Sequence, residues 1–215
     1  MTATNYTTVD VNSNALNTLN LTGGSGNITI GNGGLVGNTA TALALTLNGV
    51  SGATLDDADV YKTINVTATG ASSTLVNITD TALTTLSVAG DKGLTLTSTA
   101  GATALANVTV TGSAGLAATF AATTMKAIDT SGTTGAATIT FDATKATYTG
   151  GAGVDTYIFS GAAAASSSGG ANGAAIADVI TNFTRSTDKL QFTGAVDVVS
   201  AQQAAVQTAV TALAA

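Results

Sequence analysis

The chain has 215 residues, six basic and twelve acidic side chains and a net charge of −6, and it contains no Cys, His, Trp or Pro. Every acid is Asp. These absences remove a disulfide framework, thiolate and imidazole metal ligation, and the commonest general base and thiol nucleophile of catalysis. A basic nucleic-acid footprint and a polybasic membrane patch are missing too, and no stretch approaches the roughly 18 apolar residues of a membrane helix.

About a fifth of the residues are Thr, with Ala, Gly, Asn and Ser making up much of the rest. Asp is the acid of turns and Glu that of helices, so the negative charge reads as turn chemistry on a β-rich chain. Met1-Thr2-Ala3-Thr4-Asn5 has neither a basic start nor an apolar run, so no cleavable leader is read there.

From the N-terminus, apolar-x-apolar pairs followed by Gly recur along the first 140 residues. They stand at Leu19-Asn20-Leu21, Leu45-Thr46-Leu47, Ile64-Asn65-Val66, Leu86-Ser87-Val88 and Val108-Thr109-Val110, and a last unit reads Ile128-Asp129-Thr130. Successive starts lie roughly 19 to 26 residues apart, a solenoid spacing. Several units carry a second short strand after the turn, as at Asn27–Ile30, Gly93–Thr97 and Ala137–Phe141. Alternation of apolar residues with Thr, Ser and Asn predicts half-buried strands with one dry face. The pattern predicts an all-β chain, a parallel β-solenoid with β-roll-like repeats; an antiparallel β-sandwich is the alternative.

Asp56-Asp57-Ala58-Asp59 is an acid cluster between repeats, read as a solvated turn, with calcium between repeat units as the other reading. Asp91-Lys92-Gly93 reads as a plain turn. Phe120, Phe141, Tyr157, Phe159, Phe183 and Phe192 read as core rather than as a carbohydrate-stacking strip.

At Gly150 the chemistry changes. Gly150-Gly151-Ala152-Gly153-Val154-Asp155-Thr156-Tyr157-Ile158 combines a glycine-rich turn with one carboxylate and an apolar strand. The glycines allow a tight turn, and carbonyls plus a carboxylate are the hard oxygen donors that calcium takes. A low-complexity segment, Ala162 to Ala175, reads as a loop. Asp178-Val179-Ile180-Thr181-Asn182-Phe183 and Asp188-Lys189-Leu190-Gln191-Phe192 then read as strand, turn and strand. Ser200 and Gln203 form a capping box for a short C-terminal α-helix with Val206, Val210 and Leu213 on one stripe. Three regions result: 1–149, the Thr/Ala/Gly-rich repeats; 150–195, the glycine turn and patterned strands; and 196–215, the helix.

The motifs between Gly150 and Phe192 resemble the C-terminal region of RTX-type proteins secreted by type I systems, in which G-G-x-G-x-D-x-U precedes D-x-I-x-x-F and D-K-[IL]-x-[LF]. The Thr/Ala/Gly-rich repeats before them resemble bacterial S-layer proteins that use this route, such as those of Caulobacter and Campylobacter. The resemblance implies an extracellular protein of the bacterial cell surface, exported on an uncleaved C-terminal signal and folded and assembled by Ca2+.

Implied metal ligands are the carbonyls of Gly150, Ala152 and Gly153 and the carboxylate of Asp155, with Asp178 and Asp188 as further candidates. The sequence departs from the family's pattern, since only one good glycine-turn copy is present and Asn182 stands where a second acid is usual. The implied partner is the chain itself, in a lattice or filament; cell-surface polysaccharide would be reached through regions outside this chain, and neither nucleic acid nor a membrane span is implied. A structural, self-assembling, non-enzymatic surface-layer or fibre protein is the first reading. A calcium-binding type I secretion module of a larger secreted protein is the second, and an adhesin segment the third.

Overall fold

The computed structural model describes residues 1–31, 40–121, 124–141, 146–160 and 179–193. Consecutive strands pair off into rungs, the first strand of each rung lying in one sheet and the second in the other. The rungs are β1 (Thr2–Thr4) with β2 (Val9–Asn12), β3 (Thr18–Thr22) with β4 (Ile28–Gly31), β5 (Ala42–Asn48) with β6 (Ser51–Asp56), β7 (Thr63–Ala68) with β8 (Ser73–Thr79) and β9 (Thr85–Gly90) with β10 (Leu94–Ser98). They continue as β11 (Asn107–Gly112) with β12 (Leu116–Thr119), β13 (Ala127–Thr133) with β14 (Ala137–Phe141), β15 (Thr147–Thr149) with β16 (Thr156–Ser160) and β17 (Val179–Thr181) with β18 (Lys189–Thr193).

Among the described residues, odd-numbered strands form one nine-stranded sheet in chain order and even-numbered strands form the other. Every pair in either sheet is parallel, as in β5 with β7 and β14 with β16. This is the predicted parallel β-solenoid, and it sets the antiparallel sandwich aside, because hairpins would have given antiparallel neighbours.

The core follows from the alternation. In the odd-strand sheet, Leu43, Ile64, Leu86, Val108, Ile128, Tyr148 and Ile180 lie in register one above the other. Across from them run Leu75, Leu96, Ala118, Ile139, Tyr157 and Leu190. Leu43, Ile64, Leu86, Leu75 and Leu96 have no exposed surface, and each such side chain contributes about 1.5–3 kcal/mol by leaving water. The intervening Thr, Asn and Ser face outward, where β-branched residues suit stacked strands.

The described residues beyond Gly150 continue the same two sheets as the eighth and ninth rungs, so the change in chemistry there is not a change in architecture. Phe120, Tyr157 and Phe159 are buried and Phe183 is half-buried, as expected of core residues. The C-terminal helix expected over 196–215 and the loop expected over 162–175 lie outside the described residues. Among the described residues no helix is long and apolar enough to cross a membrane.

Candidate functional site

The glycine turn and its aspartate sit at the corner where the chain passes from the odd-strand sheet to the even-strand sheet. Leu94, Leu116 and Ala137 are in register there. Asp155 and Asp188 extend that stack, immediately before the registered residues Thr156 and Lys189. Each residue at this position has a backbone N–H that needs an acceptor from the following rung, since a buried amide left unpaired is costly.

At three rungs the acceptor is a carbonyl. Ser73, Leu94 and Leu116 donate to the carbonyls of Gly93, Gly115 and Ala136 at 3.0–3.1 Å. At three others a side chain of the following rung takes its place. The Val50 amide donates to Ser73 Oγ at 3.1 Å, the Ala137 amide to Asp155 Oδ1 at 3.2 Å and the Asp155 amide to Asp188 Oδ1 at 3.0 Å. The remaining oxygens close their own turns, Asp155 Oδ2 accepting from Gly151 at 2.8 Å and Asp188 Oδ2 from Thr184 at 2.7 Å.

Asp155 is wholly buried and Asp188 is 7% exposed. Burial raises the pKa of Asp155, the amides of Gly151 and Ala137 pull it back down, and the nearby charge of Asp188 adds to the rise. Of the other predicted ligands, Gly150 is buried, Gly153 is half-buried and Ala152 is exposed on the same turn. Asp178 lies outside the described residues.

The glycines are required here for closeness rather than for unusual backbone angles. A Cβ on Gly151 would sit 2.4 Å from the Thr130 carbonyl oxygen, and one on Gly153 would sit 2.2 Å from that of Gly135. The turn is pressed onto the rung before it.

All four carboxylate oxygens of Asp155 and Asp188 accept a backbone amide. Calcium asks for six to eight oxygens directed at one point, so the carbonyls of the glycine turn would have to supply most of them. Among the described residues no group of three or more carboxylates is placed to hold a metal ion. The geometry makes this corner a device for joining rungs, in which carboxylates stand in for missing carbonyls. No family model, no curated protein and no solved structure matches the chain.

Proposed function

We propose that the chain is a structural, self-assembling and non-catalytic subunit of a bacterial extracellular surface layer or fibre. The observation that carries this reading is the pair of sheet edges in which the solenoid ends among the described residues. Among the described residues, β1 and β2 terminate the two sheets at one end, and β17 and β18 terminate them at the other. At the second end Leu190 stands in register with the buried Tyr157 yet is 43% exposed, and the core-facing Ile180 and Phe183 are only partly covered. Sheet edges with no partner strand among the described residues, over a part-exposed core, can template another strand pair, so one copy's last described rung offers a seat for the first rung of the next.

The sides of the solenoid suit close packing as well. On the even-strand sheet, Ala117 lies in register between Thr95 and Thr138 and leaves a shallow, uncharged trough bordered by Thr97, Thr119 and Thr140. Such a surface carries no charge to repel a neighbouring copy. The extracellular setting rests on the resemblance of the Gly150–Phe192 motifs to type I secreted proteins. Asp155 and Asp188 already hold backbone amides on both oxygens, so assembly that needs no ion at that turn is the expectation.

Light scattering and negative-stain electron microscopy of the purified chain, in chelator and in about 5 mM calcium, test the reading. Filaments or sheets that grow with protein concentration are expected in both conditions. A compact monomer at every protein concentration in both would overturn it. Assembly only with calcium would keep the function and return the ion to the Gly150 turn.

A further inference from the structure

The opposite corner, where the chain returns from the even-strand sheet to the odd-strand sheet, holds a second pair of aspartates. Asp57 follows β6 and Asp80 follows β8. The register Leu55↔Ile78 and Asp56↔Thr79 stacks them in consecutive rungs. Asp56 and Asp59 are exposed, as a solvated acidic turn requires, but Asp57 and Asp80 have no exposed surface at all.

One oxygen of each carboxyl is held by its own turn. Asp57 Oδ2 accepts from the Tyr61 amide at 3.0 Å, and Asp80 Oδ1 accepts from the Ala82 and Leu83 amides at 2.7 and 3.0 Å. The other oxygens, Asp57 Oδ1 and Asp80 Oδ2, are buried with no hydrogen-bond donor. The register stacks the two carboxyl groups on consecutive rungs, close enough for each to act on the other's titration. Two ionised carboxylates facing each other without a donor or counter-charge are strongly disfavoured in a dry interior.

We infer that Asp57 and Asp80 together bind one proton, held between Asp57 Oδ1 and Asp80 Oδ2, and that this shared proton fastens the third rung to the fourth. A metal ion is the weaker occupant, because two free oxygens in a fully buried corner fall well short of the six or more that calcium or magnesium requires. A proton needs no room and turns one of the two acceptors into a donor.

The electrostatics agree with the geometry. Burial, and then the charge of Asp80, raises Asp57 to about 8. Asp80 is raised too, by burial first, with Asp59 adding to the rise. The other titratable groups on this turn are Asp56, Asp59, Tyr61 and Lys62; the neighbouring corner residues Ile30 and Gly101 to Leu105 bring none. The sign follows from linkage. The folded pair keeps a proton that the unfolded chain gives up near pH 4. Its stabilising contribution is therefore complete below that pH and is lost as pH rises through about 8.

Asp57→Asn and Asp80→Asn test this. In each, the amide oxygen keeps the acceptor role toward the turn, and the NH2 group replaces the shared proton with a permanent donor. Chemical or thermal unfolding of wild type and both variants is followed from pH 4 to pH 9, with and without calcium. The expected result is that the unfolding constant of wild type rises relative to either variant by up to tenfold per pH unit, the slope of one bound proton. In carboxyl-region NMR of the wild type, one Asp carboxyl is expected to remain protonated at pH 6 and to titrate near 8.

Parallel pH curves for wild type and variants would overturn the inference, as would a wild type whose Asp carboxyls are all ionised by pH 6. Calcium that stabilises the wild type at neutral pH but neither variant would overturn it in favour of a cation. The NMR measurement needs no substitution, so a variant that fails to fold leaves the test intact.

Discussion

Two corners of one solenoid carry stacked, buried aspartates, yet they solve opposite problems. At the Asp155–Asp188 corner each carboxylate reaches back to an amide of the rung before it, and all four oxygens find donors. At the Asp57–Asp80 corner each carboxyl turns one oxygen to its own turn and the other toward its neighbour, where no donor exists. What separates them is the backbone. At the first corner a peptide N–H lies between the two side chains, whereas at the second the amides nearest the stack are already bonded within each turn. The same residue type therefore joins rungs by accepting hydrogen bonds at one corner and by sharing a proton at the other.

The largest loss of stability is expected from removing the acceptor at the first corner. Asp155→Ala strands the buried Ala137 amide and the Gly151 amide, at about 1–3 kcal/mol each, so a total of about 2–6 kcal/mol is expected. For a chain of this size each kcal/mol corresponds to roughly 2–4 °C in Tm, which thermal unfolding resolves easily. Asp155→Asn keeps one acceptor and places a donor where the second should be, so its loss should fall between those of wild type and Asp155→Ala. An alanine variant as stable as wild type would show that the corner joins nothing.

A smaller loss is expected from Gly153→Ala, whose new methyl would meet a backbone oxygen at 2.2 Å, in a rung that cannot retreat without breaking its ladder. Overpacking of this kind costs about 1–3 kcal/mol. Gly93 offers the matched control. It stands at the same corner, but an added Cβ there has nothing nearer than 3.9 Å and no left-handed backbone angle to strain. Gly93→Ala should be neutral, or stabilising by about 0.4–1 kcal/mol through the unfolded chain. Equal effects at the two positions, in paired denaturant titrations, would break the distinction between glycines that admit a neighbouring rung and those that do not.

How much of this was legible depends on the range of the interaction. The strands were, because burial on one face forces a two-residue alternation; the pairs at Leu19, Leu45, Ile64, Leu86, Val108 and Ile128 all fall in the odd-strand sheet. The short first rung was not, since Thr2–Thr4 and Val9–Asn12 carry too few apolar residues to show a period. The glycine turn was visible, but its contacts with the neighbouring rung were not. The spacing of Gly150 to Asp155 suits calcium chemistry, and only the register shows that Asp155 points at the Ala137 amide of the rung before.

The acid cluster shows the same limit more sharply. Asp56, Asp57 and Asp59 look alike in one dimension, and which of them turns inward is decided by a partner one repeat away. A signal was present, because Leu55-Asp56-Asp57 and Ile78-Thr79-Asp80 both place an aspartate two residues after an apolar strand residue. Aligning the repeats on their second strands would have stacked the two.

A modest effect on stability, and the largest on assembly, is expected at Leu190. Its side chain lies on the inner face of the last described rung and is 43% exposed, so Leu190→Asp gives up part of a leucine's burial and should cost about 1–2 kcal/mol. In an assembled chain the same position is covered by the next copy, and a carboxylate there would have to be desolvated without a partner. The expected outcome is a variant that unfolds near the wild-type temperature but stays monomeric by light scattering at concentrations where wild type forms filaments or sheets. Val76→Asp, a change of the same kind at a 44% exposed residue on β8 in the middle of a sheet, should assemble as wild type does if growth proceeds through the ends. Should Val76→Asp block assembly while Leu190→Asp does not, contact between copies lies along the sides of the solenoid, and the open rungs are not where the chain grows.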